Sequence, residues 1–251
     1  MKSYLSQAGQ DKWVDQCVFR GKKRGYFLDI GAFDGREISN TYFLEKYRNW
    51  DGICIEGDSK NFARLVRNRR CQCVKAIIGA PPTGSIFVSE GAYSRVAVRP
   101  AGAEPDQDKQ EKESAPTLRS ILDRCAAPKL IDYITVDVEG MEDSVMSEVF
   151  DSGRHCLAFT IERPSDWLRK ELADRNYLLC VDQPGLDAFF LHNSLAEKYL
   201  SNLIDSCRYE SKRGISFLAD RLRANASYIW RYGLRGYLDK RRVSAFIDLC
   251  A

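Results

Sequence analysis

The stretch Phe27-Leu28-Asp29-Ile30-Gly31-Ala32-Phe33-Asp34-Gly35 decides how the rest of the chain is read. An apolar run from Tyr26 to Ile30 carries one acid and leads into two glycines four positions apart. That is the pattern of a buried strand closing in a tight turn, where glycine tolerates the backbone angles, with a helix to follow. In open α/β sheets such a turn lies at the carboxyl end of a strand, where cofactors bind. The next apolar run, Gly52-Ile53-Cys54-Ile55-Glu56, also closes on an acid, 27 positions after Asp29. An acid in that place is set to hydrogen-bond ribose hydroxyls. The G-x-G-x-x-G spacing of dinucleotide enzymes is missing, which counts against NAD.

Working outward, Ile38, Tyr42, Phe43 and Tyr47 have helical spacing. They predict a helix that starts just past the glycine turn and aims its first N–H groups at the cofactor. Asp58-Ser59 offers a cap for a helix with Phe62, Leu65 and Val66 on its apolar face and Arg64, Arg67, Arg69 and Arg70 on a solvated one. Strands are expected at 73–78, 130–138 and 156–161, and a hairpin over the site at 85–88 and 94–98. Residues 99–116, almost free of apolar side chains, read as a mobile loop. Met141, Val145, Met146, Val149 and Phe150 stripe a core helix, and 177–181 with 187–191 form a closing strand pair. Strands alternating with helices predict an α/β, Rossmann-like fold: a mostly parallel sheet with a terminal antiparallel strand and helices on both faces.

Hydrophobic and charged contents of 44% and 29% are globular values. The net charge of +3 is unevenly spread: residues 212–242 hold nine basic side chains against Asp220 and Asp239. This +7 segment, interleaved with Tyr228, Trp230, Tyr232 and Tyr237, lies in a region of helical spacing, 194–251, read as a basic helical extension. It suits RNA, an anionic surface or a second copy of the chain in a homodimer. Nine cysteines include no C-x-x-C pair, and Cys71-x-Cys73 has the wrong spacing for a zinc knuckle. No secretory leader or membrane-length apolar run is visible, so a reducing, cytoplasmic setting is expected.

Several stretches stand in a telling order: Ser6-Gln7-Ala8-Gly9-Gln10-Asp11, the glycine turn, Ser39-Asn40-Thr41, Trp50 to Glu56, and Asp132 to Glu142. Together, over residues 3 to 192, they resemble the FkbM family of S-adenosylmethionine (SAM)-dependent methyltransferases. The resemblance implies a class I methyltransferase domain at 1–193, SAM as cofactor and methylation of a hydroxyl oxygen, on a small molecule or a glycan. It marks Gln7, Asp29, Gly31, Ala32, Asp34, Gly35, Ser39, Asn40, Glu56, Gly57, Asp58 and Asp137 as candidate cofactor contacts.

Methyl transfer requires alignment and, for an alcohol, removal of its proton by a base or with a metal's help. Asp137 and Glu139 are expected to leave one strand on the same side, with Glu162 at the neighbouring tip, so these three are the catalytic candidates. Clustered carboxylates can share a proton or a divalent cation such as Mg²⁺. Two other readings stay open: an RNA ribose 2′-O-methyltransferase, with Asp137 and Lys22 or Lys23 in a Lys-Asp-Lys-Glu set, and a non-catalytic methyltransferase-like binding module.

Overall fold

The computed structural model describes residues 3–79, 85–88, 95–98, 116–196, 198 and 199. The expected mobile loop, apart from Pro116, and residues 200–251 of the basic extension lie outside the described residues.

A short helix α1 (Gln10–Lys12) runs into a π-helical turn (Trp13–Val18) ahead of strand β1 (Tyr26–Ile30). Helix α2 (Tyr42–Arg48), strand β2 (Asp51–Glu56), helix α3 (Ser59–Asn68) and strand β3 (Gln72–Lys75) follow. Strands β4 (Ser85–Val88) and β5 (Arg95–Val98) pair with each other, antiparallel and outside the main sheet. Then come α4 (Leu118–Arg124), β6 (Leu130–Val136), α5 (Glu142–Asp151), β7 (His155–Glu162), α6 (Asp166–Asp174), β8 (Tyr177–Asp182) and β9 (Asp187–His192).

The seven-stranded sheet has the order β3-β2-β1-β6-β7-β9-β8. Every pairing is parallel except those of β9, which runs antiparallel between β7 and β8. The strand that closes the sheet therefore lies one place inside its edge. The order reverses between β1 and β6, the crevice position where doubly wound sheets take their ligands.

Both faces of the sheet are covered, which is why its strands read as mostly apolar runs and not as strict alternation. Phe27, Cys54 and Tyr133 face a core shared with Trp13, Phe43 and Leu65, on the side of α2 and α3. Leu28, Ile30, Ile53, Ile55 and Val136 face the other core, with Leu118, Val145 and Leu168 from α4, α5 and α6. Past the last strand, Tyr199 is buried and accepts a hydrogen bond from Trp13 Nε1 (3.0 Å). Among the described residues no helix is long and apolar enough to cross a membrane.

Three local expectations need correction. Helix α2 begins at Tyr42 and not beside the glycine turn, because Phe33, Gly35 and Ile38 take left-handed backbone angles (φ 50°, 76° and 50°) that interrupt a helix. The third strand ends at Lys75, three residues early. On α3, Val66 is exposed while Arg69 is buried, the reverse of the sequence reading. Position 69 continues the Leu65 stripe one turn on, and its charge is met inside by acids.

Candidate active site

At the carboxyl ends of β1, β2 and β6 a cleft of about 870 Å³, partly open to solvent, is walled by segments 29–33, 37–40, 55–57, 76–78 and 137–139. Its floor is stitched by backbone: Gly31 and Ala32 N–H both donate to Ile55 O (3.0 and 3.1 Å), and Asp137 N–H donates to Ile30 O (3.0 Å). Gly31 has φ +86°, and a Cβ there would lie 1.7 Å from the Asp137 carbonyl oxygen. Only glycine lets the two strand tips approach this closely.

The acids on the β1–β2 side each have donors among the described residues. Glu56 accepts from Phe33 N–H through Oε2 (2.9 Å) and from Asp58 N–H through Oε1 (2.7 Å). Burial raises its pKa, and those backbone donors work the other way. Fixed so, it keeps a further lone pair on each oxygen for a ligand in the cleft it lines. Asp29 accepts from Thr41 Oγ1 (2.6 Å), whose oxygen accepts from Arg69 Nη2 (2.9 Å), and Arg69 Nε pairs with Glu45. Burial pushes Asp29 up to about 6, with Arg69 and Thr41 opposing. Asp34 and Asp58 are held for structure: Asp34 accepts from Arg36 and Glu37 N–H and pairs with Arg64, and Asp58 caps α3 through Lys60 and Asn61 N–H.

Asp29 lies in a row of polar side chains crossing the sheet, with Cys54 and Thr135 as neighbours and Thr160 beyond Thr135. Thr160 Oγ1 donates to Thr135 Oγ1 (3.0 Å), which also accepts from Asn40 Nδ2 (2.9 Å). Asn40 is thereby held at the cleft wall with its buried Oδ1 without a donor among the described residues.

The acids on the β6–β7 side face each other. Asp137, Glu139 and Glu162 each place a carboxylate oxygen within 4.8 Å of the other two. Strand β6 ends at Val136, so strand alternation does not bring Asp137 and Glu139 together; a turn does, with Glu139 at φ 51° and Gly140 at φ 100°. Arg163, itself at φ 38°, reaches back with one nitrogen to Glu139 (2.6 Å) and Glu162 (2.7 Å). Left-handed angles at bulky residues store strain that the surroundings must hold, and here they bracket the acids. Burial pushes Asp137 up to about 9, helped by the charge of Glu162 and its hydrogen bond, then by Asp187 and Glu139. Glu162 Oε2 is buried and has no donor among the described residues unless Asp137 carries a proton. Carboxylates crowded in this way favour sharing one proton between them.

A family model, the methyltransferase FkbM domain, matches residues 29–164, more than half of the chain and the whole span from Asp29 through the three acids. The chain belongs to the FkbM methyltransferase family. It has the class I methyltransferase fold. Curated proteins give no match to the sequence. Among solved structures, the METTL16 methyltransferase domain aligns at TM-score 0.41 and 13% identity, over 71% of this chain and 64% of that one. A TehB-like SAM-dependent methyltransferase from Corynebacterium glutamicum aligns at 0.41 and 12%, over 74% and 88%. Precorrin-6y C5,15-methyltransferase from Geobacter metallireducens aligns at 0.41 and 14%, over 74% and 87%. The FkbM chain thus spans just under two thirds of the METTL16 domain's length.

Of the residues marked in the sequence of this FkbM methyltransferase, Asp29, Gly31, Ala32, Ser39, Asn40, Glu56, Gly57, Asp137 and Glu139 line the cleft. Gln7, Asp34, Gly35, Asp58 and Glu162 do not, although Glu162 touches Asp137 behind it. A Cβ on Gly35 would strike Leu65 and Arg69, so that glycine serves packing. Lys22 donates to Asp132 (2.6 Å), five positions up β6 from Asp137, and so joins no set with it. Sequence reasoning missed Arg69, Glu45 and Asp187. Asp187 opens β9 opposite Glu162, and an acid at the start of an otherwise apolar strand was its signal.

Proposed function

We propose that this methyltransferase acts on a hydroxyl oxygen and that the Asp137–Glu162 pair receives the acceptor's proton. The observation that carries the reading is the buried Glu162 Oε2, without a donor among the described residues and beside an Asp137 whose pKa burial and Glu162 raise. Two carboxylates holding one proton have an ionised oxygen to accept another, which is what an alcohol must lose as its oxygen becomes methylated.

The cleft suits the cofactor's chemistry. Glu56, its orientation fixed by two backbone donors, offers lone pairs to ribose hydroxyls. Asn40 Oδ1, without a donor among the described residues, offers an acceptor for an ammonium group. Ala76, Ile77 and Ile78 give an apolar wall for a purine. When bound, SAM supplies a methyl group already activated by its sulfonium. The chain's part is to hold the acceptor hydroxyl against Asp137, exclude water and take the proton. Arg163 supplies the positive charge facing Glu139 and Glu162 and holds both carboxylates in place beside Asp137. Ile38, exposed at the rim, and Met141 give an apolar edge for the acceptor's body.

The test is to supply methyl-labelled SAM with panels of hydroxyl, amine and thiol acceptors. Label in an alkali-stable ether supports the reading. Label only on nitrogen, carbon or sulfur overturns it. Asp137→Asn and Glu139→Gln, assayed beside wild type with S-adenosylhomocysteine (SAH) binding as control, separate lost chemistry from lost cofactor.

A further inference from the structure

Away from the acids, three cysteines gather where β2 meets β3. Cys54 lies in β2 with Asp29 as its neighbour on one side and Cys73 on the other. Cys71, just ahead of β3, has its Sγ 3.5 Å from Cys54 Sγ, within hydrogen-bond reach and with the two sulfurs already in contact. Cys54 is fully buried, whereas Cys71 is partly exposed at the end of α3. The cation of Arg69, buried beneath, acts on both thiols, and Glu45 hydrogen-bonds to Cys71. Hydrogen bonds from Cys54 and Cys73 and the charge of Arg69 lower the Cys71 pKa, so its sulfur is held as thiolate, while burial keeps the Cys54 proton on. An accessible thiolate beside a cation, with a second sulfur in contact, is the arrangement of an oxidisable cysteine and its resolving partner.

We propose that Cys71 is a peroxide-sensitive thiol that forms a disulfide with Cys54. The Cys71 thiolate attacks hydrogen peroxide; an S–O bond forms, the O–O bond breaks, and the departing hydroxide takes a proton to become water. Cys54 sulfur then attacks Cys71 sulfur; the S–S bond forms, the S–O bond breaks, and the second hydroxide leaves with the Cys54 proton as water. Two thiols are oxidised and one peroxide is reduced to two waters.

The bond removes the anionic sulfur facing Arg69. That arginine balances Asp29 at 3.9 Å, and Asp29 lines the cofactor cleft. Oxidation is therefore felt one strand away, at cofactor binding.

The experiment treats the full, pre-reduced chain with equimolar hydrogen peroxide, blocks free thiols with an alkylating agent and maps non-reduced peptides by mass spectrometry. The expected result is a Cys54–Cys71 linked peptide ahead of oxidation at any other cysteine. In Cys54→Ser, whose target is the buried partner, the expected result is a Cys71 sulfenic acid trapped by dimedone. A Cys71 that stays alkylatable while other cysteines oxidise, or that links to Cys73, overturns the proposal. In calorimetry the oxidised protein is expected to bind SAH with an affinity changed roughly fivefold or more, restored by reductant. An unchanged affinity overturns the coupling to the cleft.

Discussion

Two groups of acids border one cleft, and they are treated in opposite ways. On the β1–β2 side each carboxylate is answered: Glu56 by two backbone N–H groups, Asp29 by Thr41 and Arg69, Asp34 by two N–H groups and Arg64. On the β6–β7 side, Asp137, Glu139, Glu162 and Asp187 face each other with Arg163 as the cation between two of them. Donors fix an acid's position and use up its basicity, while crowding forces a proton to be held and exchanged. On the proposed reading the first group holds a ligand and the second moves a proton.

The contrast between the two groups is easiest to break at Arg69. Its guanidinium has no exposure and answers Glu45, Thr41 and Asp29 together. Arg69→Met leaves buried Asp29 without its cation and Glu45 with the exposed Arg70 alone, and is expected to cost about 3–5 kcal/mol in chemical denaturation. A loss under about 1 kcal/mol would show that the β1–β2 acids do not depend on it.

Next comes the pH dependence. Asp29 and Asp187 are pushed up to about 6, and Asp137 to about 9, from 3.8. A carboxyl whose folded pKa is raised binds its proton more tightly when folded, so its stabilisation is complete below the unfolded pKa and is lost as pH rises through the folded one. Between pH 6 and 9 Asp137 is the carboxyl of the three still losing it. Cys71, held as thiolate, runs the other way, so the comparison of wild type with Asp137→Asn isolates the acid. The wild-type unfolding free energy in chemical denaturation is expected to fall relative to Asp137→Asn across that window, at up to about 1.4 kcal/mol per pH unit. Parallel curves would place the shared proton elsewhere.

The smallest effect sharpens the first group's role. Glu56→Gln keeps an acceptor for one of its two backbone donors and loses the charge. It is expected to weaken SAH binding about tenfold by calorimetry, with little change in melting temperature. Unchanged affinity would remove Glu56 from the ribose.

The sheet and the place of the cleft were legible because residues 27–30, 52–56 and 131–136 are buried and mostly apolar, with Asp29, Glu56, Asp132 and Thr135 as the polar positions among them. Asp29, Glu56 and Asp137 were legible for a related reason, as acids closing such runs. Arg69 was not, since helical spacing places it on the buried stripe while its charge argues for solvent, and Glu45 that settles the matter is 24 positions away. The turn that gathers Asp137 and Glu139 was also hidden, because left-handed angles at Glu139 and Arg163 are imposed by long-range contacts and carry no glycine signal.

The most direct test of the central claim is single-turnover methyl transfer by Glu162→Gln with labelled SAM and a hydroxyl acceptor. The expected outcome is a rate about 100-fold or more below wild type, with SAH affinity unchanged. A wild-type rate would contradict a proton-accepting pair at the tips of β6 and β7.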